Sequence, residues 1–161
     1  MSVVDQIPRM TDQQLLTLFG NATKHLAESK DLTKAEAILS AVECEWKTRL
    51  GKAPANHDRK GSPSVGMLAT LGYHVGVNDG ETTIARRRIL KHTLERDLPL
   101  VDSFSYTMEW GPPNSTKRYS KLIQFLQSQL ANPANSSHGR AILEWNEDLD
   151  WVKHNYTHLS R

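Results

Sequence analysis

Residues Glu81 to Asp97 read ETTIARRRILKHTLERD, and how this stretch winds decides the fold. Ala85, Ile89, Leu90, Thr93 and Leu94 recur at spacings of three and four, the period of a helix and not of a strand. Pro99 ends the helix. At about 100° per residue, Arg86 falls within the apolar side, and Arg87, Arg88 and Lys91 fall opposite it with Glu95. A guanidinium among apolar side chains needs a partner. Asp79, Glu109 and Asp148 are the candidates. Arg86 is therefore expected to form a structural buried pair, clamping the Gly-rich turn or the Trp110 corner to this helix. The alternative is a ligand anion held by Arg86.

The same period runs through the rest of the chain. Thr11 caps a helix to about Glu28, with Leu15, Leu18, Phe19, Ala22 and Leu26 on one stripe. Thr33 and Glu36 form a capping box with Leu32 as staple, opening a helix that Gly51 stops. Its stripe is Ala35, Ile38, Leu39, Val42, Trp46 and Leu50, and Ala37, Ala41 and Cys44 line the other side. The text GKAPANHDRKGSPS from Gly51 to Ser64 has no periodicity and reads as a linker. Past it, Pro63 opens a short helix closed by Gly72, Ser103 caps one through Trp110, and Ser115 caps another over Tyr119, Leu122, Ile123, Leu126 and Leu130. A last helix spans about Gly139 to Tyr156, with Ala141, Ile142, Trp145, Leu149 and Val152 inward. The expected fold is all-α with six or seven helices: an N-terminal helical hairpin (1–51), a linker (52–63), and a compact bundle of four to five helices (64–161).

Composition narrows the classes of function. Twenty Lys and Arg face 18 Asp and Glu, so no global field argues for nucleic acid. No apolar run approaches the roughly 20 residues of a membrane span, and Met1 to Met10 has no signal-peptide core. The single cysteine, Cys44, excludes an internal disulfide. A cytoplasmic protein without membrane contact is the simplest expectation.

Several residues in the second half combine into a pattern. Gly72-Tyr73-x-Val75-Gly76, Arg87-x-Ile89-Leu90, Glu109-Trp110-Gly111, Ser115 with Arg118, and Trp145 with Asp148-Leu149 resemble a helical family of uncharacterised bacterial proteins. The resemblance covers about residues 64 to 156. It implies a boundary near Pro63 and a bacterial origin, and it supplies no activity, ligand or chemistry.

Candidate functional residues are few. Arg87, Arg88 and Lys91, joined by Lys117, Lys121, Arg59 and Lys60, would give a modest basic patch for phosphate contacts, or merely a solvated helix face. The Gly76 to Gly80 turn leads into a helix N-terminus, a natural anion site, yet it lacks the Walker and dinucleotide spacings. Among the histidines only His154 and His158 stand at i, i+4, which is too few for a metal site. Cys44 reads as a small buried residue, and the acidic run Glu144, Glu147, Asp148 and Asp150 as a solvated face. Trp151 lies opposite Trp145, near Leu143, and marks a second packing surface for the hairpin, a partner protein or a second copy. No catalytic set, metal site or cofactor is expected. The leading expectation is a small accessory protein working through helix surfaces, by protein binding or self-association. Nucleic-acid binding through the basic face is the alternative, and an enzyme is the third class.

Overall fold

The computed structural model describes residues 2–52, 65–101 and 103–161. Among them the protein is all-α, with no strand. Eight α-helices follow in order: α1 (Val3–Gln6), α2 (Asp12–Ala27), α3 (Leu32–Lys52), α4 (Met67–Thr70), α5 (Thr83–Glu95), α6 (Phe104–Glu109), α7 (Thr116–Ala131) and α8 (Gly139–Asn155). Residues 53–64, with Arg59, Lys60 and Pro63, lie outside the described residues.

Helix starts follow the capping chemistry. The side chains of Thr11, Thr82, Ser103 and Ser115 accept from the backbone N–H of Gln14, Ala85, Tyr106 and Arg118. The second long helix departs from its expected bounds at both ends. Asp31 takes a left-handed φ of 44°, α3 begins at Leu32, and Leu32 is exposed instead of stapled. At the other end α3 passes through Gly51, because Arg49 holds its last turns down. That guanidinium pairs with Asp12 at 2.5 Å and with Glu45 at 2.8 Å, and donates to the Met10 carbonyl. The first ten residues hold a helix that periodicity did not reveal. Ser2 and Asp5 form a capping box, and Ile7 is buried at the end of α3.

The hairpin α2–α3 packs on α5 of the same chain through an aromatic cluster. The Phe19 ring lies 5.2 Å from Trp46 and 4.6 Å from His92. His92, outside the apolar stripe that the spacing suggests, is buried because α2 and α3 close over that flank of α5. The apolar core is continuous from Ile7 to Leu159. Beyond α5, α7 and α8 pair over Leu122, Leu126, Leu149 and Val152.

The far end of α5 is held by a second buried arginine. Arg118, from the first turn of α7, donates to the carbonyls of Thr93, Arg96 and Gly111. The Thr93 and Arg96 carbonyls belong to the C-terminal end of α5, where carbonyls lack helical partners and the dipole is negative. Burial pulls the pKa of Arg118 down to about 10, against a weak opposing effect of Asp97, so the group remains charged at neutral pH. Replacing it strands several carbonyls. Arg118→Met is expected to lower stability by about 1–3 kcal/mol in urea unfolding monitored by helical circular dichroism.

Candidate functional site

The three consecutive arginines of α5 leave the helix in three directions. Each successive side chain turns by about 100°, and the neighbours of α5 differ on each side.

Arg86 points into the core and is 1% exposed. Its Nε lies 2.7 Å from Asp148 Oδ2, and Asp148 is fully buried. A second nitrogen, Nη1, donates to the Glu81 carbonyl at 3.0 Å and lies 3.4 Å from Glu144 Oε1. Tyr73 donates its hydroxyl to the same Asp148 oxygen at 2.8 Å. Burial, with Asp148 alongside, raises the Tyr73 pKa far above its ordinary value, so the phenol stays a donor. Of the three acids that the sequence offered, Asp148 alone is bonded to Arg86; Glu144, read from the sequence as solvated, is its second partner. Glu147 remains mostly exposed at the mouth of the cluster, 3.8 Å from Arg86. The acidic run is thus split by helical phase: Glu144 and Asp148, four apart, share the inner face of α8.

Glu144 also reaches the Gly-rich turn. Gly76 donates its backbone N–H to Glu144 Oε2 at 2.8 Å, so this donor of the turn is taken by the protein's own carboxylate. Gly76 has a φ of +103°, and a Cβ on Gly80 would lie 2.1 Å from the Gly76 carbonyl oxygen, which explains both glycines. Burial opposes the charge on Glu144, but the Gly76 N–H, Arg140 and Arg86 outweigh it and hold its carboxyl below the usual range.

Arg87 turns toward α8. Its guanidinium lies 5.6 Å from the centre of the Trp151 ring, and its Nε is buried without a hydrogen-bond partner. Tyr156 packs edge-to-face with Trp151, at 5.8 Å between centroids. The second packing surface around Trp151 is therefore partly filled, by Arg87 and Tyr156. Arg86 faces Asp148, Arg87 faces Trp151 and Glu95 accepts from Tyr156, so α5 and α8 run side by side in the same direction. Ile84 stands one turn before Arg87 on α5, and Leu143 two turns before Trp151 on α8. They are 57% and 62% exposed.

Arg88 turns to the opposite flank. With Lys91 and Arg96 it borders a cleft of about 420 Å³ between α5 and the hairpin. The basic residues singled out from the sequence are thus dispersed. Arg87 stacks on Trp151, and Lys121 pairs with Glu109 at 2.6 Å over the Trp110 ring. Lys117 is exposed at the start of α7, and Arg88 and Lys91 make no ion pair among the described residues. Ala37 is exposed and Ala41 half-buried on α3. Cys44 is exposed, a correction to its expected burial, because the small-residue side of α3 faces outward. His158 lies in a turn beyond the end of α8, so it does not continue the helical face of His154. Among the described residues no group of three or more acids, histidines or cysteines is placed to hold a metal, and no helix is long and apolar enough to cross a membrane.

No family model, curated protein or solved structure matches the chain. Five residues of the pattern noted in the sequence enter the two arginine networks: Tyr73 and Asp148 bond within the Arg86 cluster, Gly76 bonds Glu144, and Gly111 accepts from Arg118.

Asp148→Asn leaves Arg86 with a neutral amide in place of its closest acid, and a loss of about 3–5 kcal/mol is expected in urea unfolding. Glu144 has a lowered pKa in the folded state. Its contribution is complete above the ordinary carboxylate value and fades as pH falls through the folded value. Between about pH 5 and 3 the melting temperature of Glu144→Gln should therefore fall less steeply than that of the unaltered protein.

Proposed function

We propose that this chain is a non-enzymatic interaction protein that engages a partner protein through the seam between α5 and α8. The observation that carries the reading is the half-covered Arg87–Trp151 pair between α5 and α8, with the exposed apolar residues Ile84 and Leu143 on the same two helices. Trp and Arg flanked by aliphatic residues are the composition of a binding hot spot. Closure over Trp151 would remove the remaining apolar surface from water. The polar groups buried beneath the seam are already bonded to one another, which suits a rigid platform and not acid–base chemistry.

Nucleic-acid binding by Arg87, Arg88, Lys91, Lys117 and Lys121 draws less support, since Arg87 is engaged by Trp151 and Lys121 by Glu109. One experiment separates the two. A photo-crosslinking amino acid placed at Leu143 should yield a covalent protein adduct in cells, and the same group at exposed Gln127 of α7 should not. An adduct to nucleic acid would favour the alternative. Equal yields at both positions would reject the seam.

A further inference from the structure

His92 stands where the hairpin meets α5, and both of its ring nitrogens face acceptors. Nε2 lies 3.1 Å from the Asp97 carbonyl oxygen. A carbonyl can only accept, so Nε2 carries a hydrogen. In the neutral ring the other nitrogen, Nδ1, is then a bare lone pair. Nδ1 lies 3.4 Å from Glu43 Oε1 of α3, and an ionised carboxylate has nothing to donate to it. The contact is shielded from water, with His92 7% exposed and the Glu43 side chain 13%. Phe19 and Trp46 pack on the ring at 4.6 and 5.9 Å between centroids. Neutral His92 thus sets a lone pair against a carboxylate in a buried contact. The imidazolium instead donates to both neighbours.

We propose that His92 and Glu43 form a proton-dependent latch that sets how tightly the α2–α3 hairpin is docked on α5. Histidine changes its charge between about pH 5 and 8. At the acid end of that range the imidazolium bridges Glu43 of α3 to the Asp97 carbonyl beyond α5. At the alkaline end the bridge becomes a repulsive contact, and the hairpin opens more readily. The docked state holds the proton more firmly than the open state, so the latch contributes at low pH and its contribution is lost as pH rises. Two effects oppose it. Burial disfavours the charged ring, and Arg96 shares Glu43, lying 3.6 Å from its other oxygen. The direct contact with Glu43 outweighs them because a shielded pair is screened least. The other charges on this flank are Arg88, Lys91 and Glu95 of α5 and Glu36 of α3, and α2 adds none to the cleft. Arg88, Lys91 and Glu36 are exposed to water, and Glu95 accepts from Tyr156. The latch does not rest on the Trp151 seam, so either assignment can fail without the other.

Amide hydrogen exchange of α3, expressed as protection factors so that the intrinsic effect of pH is removed, tests the latch. Protection of the Val42 and Trp46 amides should be at least about threefold greater at pH 5.5 than at pH 8. Glu43→Gln keeps the shape of the side chain and can turn an amide N–H toward Nδ1, so the variant should lose that dependence. Arg96→Gln alters an exposed side chain and leaves Glu43 to His92 alone, so it should keep the dependence or enlarge it. The remaining histidines are common to all three proteins and cancel in the comparison. Nitrogen-15 spectra of the unaltered protein at pH 8 should show His92 protonated at Nε2 and bare at Nδ1, a readout that needs no variant. The opposite tautomer, equal protection at the two pH values in the unaltered protein, or an undiminished pH dependence in Glu43→Gln would each overturn the proposal.

Discussion

Arg86 and Asp148 meet in the interior, and the arrangement of the C-terminal half depends on their doing so. The two residues belong to α5 and α8, and their ion pair sets those helices side by side. Removing both charges from water is expensive, so the pair is tolerable only with its remaining hydrogen-bonding capacity satisfied. Tyr73, the Glu81 carbonyl and Glu144 do that work, and through them the network reaches the turn after α4 and the Gly-rich segment. A core of leucines alone would allow α5 to slide or rotate against α8. A planar guanidinium facing a carboxylate at 2.7 Å restricts both movements.

Arg118 performs a complementary task at the other end of α5. It faces carbonyl dipoles in place of a carboxylate, and it joins the start of α7 to the end of α5 and to the Gly111 corner. With one arginine near each end, α5 becomes the fixed axis of the molecule. Its flanks are then available for display. One presents Arg87 against Trp151, and the other presents Arg88 and Lys91 to the cleft beneath the hairpin. Adjacent residues in the chain thus serve separate surfaces, because a helix turns each side chain to a different neighbour.

Much of this was legible from the sequence, and the failures have identifiable causes. The inward phase of Arg86 follows from Ile89, Leu90, Thr93 and Leu94, and the caps at Thr11, Ser103 and Ser115 follow from local hydrogen bonding. Thr33 and Glu36 have the same local signature, yet α3 starts before them. Short helices such as Val3–Gln6 are too brief to show a period, and Ile7 is stabilised by packing on α3. The spacing assigns His92 to neither side of its helix and places Glu144 on a solvated face. Their burial is caused by neighbours remote in sequence, the hairpin for one and the Gly76 turn with Arg86 for the other.

The amino-acid sequence by itself determined the helical class, the positions of most helix starts, and the fact that Arg86 would need an acid inside the protein. These are consequences of periodicity and of short-range hydrogen bonds, which act within a turn or two. Only the tertiary structure decided which acid answers Arg86, that Arg87 and Arg88 part company, and that the hairpin closes over His92 to leave a cleft with opposed charges. Those outcomes depend on which helices become neighbours, and that choice is made by the burial of the whole core, to which no single segment holds the key.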